Sequence, residues 1–161
     1  MLRKFQEQLE KLKKRLLKMG SSVEEQLNYT IQAILEENEE KAQRVFELEK
    51  TVDKIDLKIE KNCQKLFALN QPVALDLRLI ISAINLSTDL ERIGDLSVNI
   101  SELFLKTKRK PEFIDEIKFN EMSTCALKMY KDALDSFINN DAEKAREVIK
   151  DDKILDELKC Y

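Results

Sequence analysis

The chain has 161 residues, enough for one domain of ordinary size or two small ones. Its 28 basic and 31 acidic residues leave a formal charge of −3, so no global positive field invites nucleic acid. Only two Gly and two Pro occur among 37% charged and 43% hydrophobic residues, a composition that points to long helices.

The first element places apolar residues at Leu2, Phe5, Leu9, Leu12, Leu16, Met19, Val23, Leu27, Ile31 and Ile34. Those steps of three and four predict one helix over about residues 2–37. Gly20-Ser21-Ser22 resembles a helix stop followed by a capping box, Ser22-x-x-Glu25. Met19 and Val23 nevertheless keep their phase across it, which a loop would not preserve, so the helix is expected to run through Gly20.

Asn38 is the expected cap of a second helix. Its seam runs Val45, Leu48, Val52, Ile55, Ile59, Cys63 and Leu66, which makes Cys63 a small core residue. Asn70-Gln71-Pro72 closes that helix and opens a third, with Pro72 at the first helical position. The third helix turns Leu79, Ala83, Leu86, Leu90, Ile93, Ser97, Ile100 and Phe104 inward and ends near the basic run 106–111. After Pro111 the pattern restarts, with a helix to about Ile138, a turn at Asn139-Asn140-Asp141 and a helix to Tyr161. The expected fold is all-α. Residues 1–110 form an antiparallel three-helix bundle, and 111–161 supply the first two helices of a second, incomplete one.

An internal repeat supports that division. Glu40, Lys41, Ala42, Val45, Lys50 and Asp53 recur without a gap as Glu143, Lys144, Ala145, Val148, Lys153 and Asp156. Glu49 meets Asp152, a carboxylate for a carboxylate. At that offset the counterparts of Glu91 and Asp95 fall beyond Tyr161, so either the chain is truncated or a partner supplies the missing surface. An apolar face of Leu127, Tyr130, Leu134, Phe137, Val148 and Leu155 is expected to stay partly uncovered and to favour self-association.

The chemistry lies in carboxylates. With Val52 and Ile55 buried, Glu49, Asp53, Asp56 and Glu60 flank the second helix's seam; Glu91, Asp95, Asn99 and Glu102 do so on the third. If these helices are neighbours, the stripes face each other, and their oxygens suit Mg²⁺, Mn²⁺, Fe or Ca²⁺. Acidic pairs four apart occur elsewhere at about the chance rate, as in Glu36/Glu40 and Glu112/Glu116, so spacing alone does not define a site. Arg92 points away from Glu91 and is assigned to an ion pair or a partner contact. The absence of His removes Ser-His and Cys-His nucleophile pairs, and no Gly-rich phosphate loop occurs. An enzyme is not expected. No run approaches the ~18–20 apolar residues of a membrane span. The N-terminus lacks the apolar core of a signal peptide, and Cys63, Cys125 and Cys160 lack C-x-x-C spacing, so a cytoplasmic protein is expected.

The stretch 71–102, QPVALDLRLIISAINLSTDLERIGDLSVNISE, resembles the signature region of the PhoU family of bacterial phosphate-uptake regulators. The resemblance runs through Gln71-Pro72, Asp76-Leu77-Arg78, Glu91-Arg92-Ile93-Gly94-Asp95 and Asn99-Ile100. Upstream, Glu49-x-x-x-Asp53 fits the family's second helix. The resemblance implies tandem three-helix bundles that are often dimeric and carry surface metal clusters on E(D)-x-x-x-D motifs, with iron or zinc as the metal. By position the first cluster would use Glu49, Asp53, Glu91 and Asp95, with Glu60, Asn99 and Glu102 as further candidates. Asp152 and Asp156 match half of a second. The implied role is to repress the phosphate-starvation response by linking the high-affinity phosphate transporter, through its ATPase, to a sensor histidine kinase. The membrane would be reached only through those partners. A Pit-type transporter accessory protein and a metal-free helical adaptor are the alternatives.

Overall fold

A computed structural model describes every residue except Met1, Gln71, Val73, Cys160 and Tyr161, and omits the side chains of Leu2, Arg3, Asn70 and Lys159. The strict alternation of three- and four-residue steps sets its core. On α1 (Leu2–Leu35) the buried line runs Phe5, Leu9, Leu12, Leu16, Met19, Val23, Gln26, Thr30 and Ala33, with Gly20 and Ile34 buried beside it. That is an unbroken heptad seam, the pattern by which neighbouring helices interdigitate. The helix runs through Gly20 as expected. Past Val23, however, the seam takes Gln26 and Thr30, not Leu27 and Ile31, which are only half-buried. Thr30 Oγ1 and Gln26 Nε2 find partners inside the bundle, whereas Gln26 Oε1 does not.

The second helix, α2 (Glu39–Asn70), starts on the expected cap: Asn38 Oδ1 accepts from the Lys41 backbone N–H at 3.1 Å. Val45, Val52, Ile55, Ile59, Cys63 and Leu66 are buried along it, each large side chain contributing about 1.5–3 kcal/mol relative to exposure. Burial pushes the Cys63 thiol up to about 11, so this cysteine is an unreactive core residue.

The third helix, α3 (Ala74–Thr107), begins two residues later than expected. Ala74 has φ 47°, in the left-handed region, so a helix starting at Pro72 could not pass through it. The expected turn residue Gln71 lies outside the described residues. Its buried line is Ile80, Ala83, Ser87, Leu90, Gly94, Ser97, Ser101 and Phe104. Small residues dominate, letting α1 and α2 approach closely. Ile100 was expected inward but is 43% exposed, and Ser101 takes the buried place. There Thr30 Oγ1 donates to the Ser97 carbonyl at 3.3 Å and shares a hydrogen bond with Ser101 Oγ at 3.2 Å. Hydroxyl partners across α1 and α3 outweigh the apolar preference of a residue one position away.

The basic run after α3 is pinned. Lys108 Nζ lies 2.8 Å from Glu39, and Lys110 Nζ lies 2.8 Å from Asp115. The next helix starts later than the sequence pattern suggested. A single 3-10 turn at Glu112–Asp115 and a left-handed Lys118 precede α4 (Phe119–Asn139). Asn140, in the left-handed region at φ 53°, ends α4, a conformation Asn tolerates through its short polar side chain. Asp141 Oδ1 then accepts from the Lys144 N–H at 3.0 Å and caps α5 (Ala142–Lys159). Asp141 stands in the repeat where Asn38 stands before α2, and both make the same bond. The expected helix end at Tyr161 lies outside the described residues.

Helices α1, α2 and α3 pack pairwise, α4 pairs with α5, and α4 rests on α1. The expected open face of α4 is therefore partly covered: Tyr130 and Phe137 pack on the first bundle's core, and Leu134 is buried. Among the described residues no helix is long and apolar enough to cross a membrane.

Candidate metal centre

Helices α2 and α3 run antiparallel, and the register that sets Asp56 against Ser87 also sets Glu49 against Gly94. Glu49 and Asp53 project from one turn of α2, Glu91 and Asp95 from the facing turn of α3. Glu49 and Glu91 are half-buried, Asp53 and Asp95 exposed.

Their electrostatics show that these groups share a locality. Glu49's carboxyl is held above the ordinary range by burial, partly offset by a hydrogen bond from Gln26 and reinforced by Asp53, Asp95 and Glu91. Glu91 is raised by burial first, then by the charges of Asp95, Asp56 and Asp53 and a hydrogen bond with Asp95. A cation would reverse the sign of every one of these repulsions. As the side chains stand, no three carboxylates or thiols among the described residues enclose a single ion.

Two further features fit a cation. Gln26 is wholly buried, yet its Oε1 has no hydrogen-bond partner. A Cβ on Gly94 would stand 2.9 Å from Gln26 Oε1 and 3.0 Å from Glu49 Oε2, so glycine keeps a small cradle open there. The donor set is hard oxygen throughout, which suits Mg²⁺, Mn²⁺, Fe or Ca²⁺.

The other sequence candidates lie apart. Glu60 is exposed and accepts from Gln64 Nε2 at 3.0 Å; Asn99 and Glu102 are exposed further along α3. Asp152 and Asp156 are exposed on α5, and Arg92 is exposed beside Glu91. Conversely, Gln26 and Ser87 escaped notice. Gln26 Nε2 donates to Glu49 Oε2, and Ser87 Oγ donates to Asp56, so each steadies a carboxylate from a buried position. Continuing the heptad phase of α1 past Val23 leads to Gln26; on α3 the lines through Leu86 and through Ser87 both keep that phase, and only the partners on α1 and α2 decide between them.

The chain matches the PhoU domain family model over residues 16–104 and 119–160. It belongs to the PhoU family. Among curated members it is 34% identical over 155 residues to the phosphate-specific transport system accessory protein PhoU homolog of Aquifex aeolicus, covering 96% of this chain and 70% of that protein. With PhoU homolog 1 of Thermotoga maritima the identity is 36% over 157 residues, covering 96% of this chain and 67% of the other. The crystal structure of PhoU from Pseudomonas aeruginosa superposes with a TM-score of 0.88 at 32% identity, over 96% of this chain and 74% of that one. PhoU relatives are named as accessory or regulatory proteins of phosphate transport, and the neighbours are helical bundles like this one.

Proposed function

We propose that this chain regulates phosphate uptake and restrains phosphate-starvation signalling, acting on the cytoplasmic side between the phosphate transporter's ATPase and a sensor histidine kinase. The observation that carries the reading is family membership along nearly the whole chain, with relatives named for the phosphate-specific transport system. The chain would act by binding, without catalysis of its own. Arg92, exposed beside the acidic site, would contact a partner.

The same proposal gives the protein a surface cation, iron or zinc foremost and Mn²⁺ or Mg²⁺ otherwise, on Glu49, Asp53, Glu91 and Asp95. Mutual repulsion among these groups and the orphaned Gln26 oxygen support it. The bound cation would supply positive charge that ties α2 to α3 and offers a partner's carboxylates a ligand. The weaker match at Asp152 and Asp156 supplies at most part of a second site. Division into a bundle at 1–110 and a second unit at 111–161 belongs to this reading, as does a homodimer through α4 and α5, where Ile149 and Ile154 are 69% and 52% exposed.

The test is complementation. In a bacterium lacking its own phosphate accessory protein, this chain should restore repression of a phosphate-starvation reporter in phosphate-rich medium. Full derepression with the chain present and folded would overturn the reading. A metal-free adaptor is the second reading, favoured by the absence of three converged ligands among the described residues. It requires that Asp95→Asn leave repression intact.

A further inference from the structure

We propose that Gln26 of α1 is the positioning residue of the acidic site, making the site a product of three helices, not two. The inference rests on the cation reading above. Gln26 continues the seam of Leu12, Leu16, Met19 and Val23, where an apolar side chain of the same volume would pack without penalty. It is 0% exposed, and one of its two polar atoms is left without a partner. Burying an unsatisfied amide oxygen costs stability, so packing does not account for the residue.

What the amide does is visible on its other side. Nε2 donates to Glu49 Oε2, with the Val45 carbonyl 3.4 Å away. That bond occupies Oε2 and holds the Glu49 carboxylate from the core, which would leave its second oxygen to a cation. Carboxylates and imidazoles that bind metals are commonly held this way by a neighbour behind them. With a cation held on the acidic residues, the unpartnered Gln26 Oε1 would be free to accept a hydrogen bond from a water at the site. Gly94 serves the same arrangement, because a side chain there would press on Gln26 Oε1 and on Glu49 Oε2, the oxygen that Gln26 holds. Neither Gln26 nor Gly94 is acidic, and both determine where the acid stands.

The experiment compares the wild-type chain with Gln26→Met, Gln26→Leu and Asp95→Asn, each titrated with Zn²⁺ against a competing chelator and melted free of metal. For Gln26→Met and Gln26→Leu we expect metal-free melting at or above wild type, since the orphaned oxygen is gone, together with a 10–100-fold weaker Zn²⁺ affinity. Affinity within twofold of wild type in both would overturn the role of Gln26 while leaving the site intact, provided Asp95→Asn abolishes binding. Metal-free melting well below wild type would also overturn it, because Gln26 would then be a structural hydrogen-bonding residue. If the wild type takes up no Zn²⁺, the cation reading itself falls and the role of Gln26 falls with it.

Discussion

Leu134 fills the space that a side chain on Gly20 would need, and Tyr130 Oη donates to the Gly20 carbonyl at 2.7 Å. The glycine that looks like a helix stop is thus the seat of α4 on α1. Burial also holds the Tyr130 phenol well above its ordinary range. Gly20→Ala should gain about 1 kcal/mol of helix propensity but lose about 1–3 kcal/mol to crowding, a net effect between neutral and about 2 kcal/mol destabilising. In a Leu134→Ala background the crowding is absent, and Gly20→Ala should become stabilising. A double-mutant cycle by urea unfolding measures the coupling; additive effects would show that Leu134 does not seat on the glycine.

Free of metal, the acidic site should work against the fold at neutral pH. The folded pKa of Glu49 lies above its unfolded value, chiefly through burial. The folded state therefore binds more protons between the two values, and its stability rises as pH falls through the raised pKa. Glu49→Gln, which keeps an acceptor for Gln26, should be more stable than wild type at neutral pH. The advantage should shrink as pH falls toward the ordinary glutamate value of ~4.3. Urea midpoints across that range, in chelator, decide it; a gap constant with pH would contradict the shift.

Metal should invert that order. Added Zn²⁺ should raise the melting temperature of the wild type by mass action and leave Asp95→Asn unmoved. In metal-free protein Asp95→Asn should be neutral or slightly stabilising, because a like-charge pair is removed. Equal shifts in both proteins would return the acidic stripe to solvated helix surface.

Light scattering at micromolar concentration should find a dimer. Substituting Lys at Ile149 and Ile154, both exposed on α5, should return it to a monomer with its helix content unchanged. A wild-type monomer under those conditions would count against α4–α5 as a self-association face.

The sequence made much of this legible. Apolar phase identified the long helices and carried α1 through Gly20, and the cap at Asn38 was legible; the matching cap at Asp141, at the equivalent place in the repeat, emerged from the structure. Ser97 was expected inward and is buried, but Gln26, Thr30, Ser87, Gly94 and Ser101 at seam positions defeated the pattern. Hydropathy assigns such residues outward, and so favours Leu27 and Ile31 over Gln26 and Thr30, and Ile100 over Ser101. Burial of those polar groups depends on partners on other helices, which no local pattern records. The acidic residues were visible, but the buried side chains that hold two of them in place were not. The late start of α4 was also hidden, since the left-handed Lys118 is a residue type with no preference for that conformation.

The Thr30 bridge to Ser97 and Ser101 also fixes the register of the bundle. A heptad seam is periodic, so its apolar layers would tolerate a slip of α3 by seven residues past α1. Sliding one way would bring Leu90 to Thr30, and sliding the other would bring Phe104. Either slip strands a buried hydroxyl, at a cost of about 1–3 kcal/mol, and drives a Leu or Phe into a layer sized for serine. It would also carry Gly94 away from Gln26 and Glu49, dismantling the acidic site. The hydroxyl bridge therefore serves as an indexing pin, keeping carboxylates from two helices opposite one another whether or not an ion is bound.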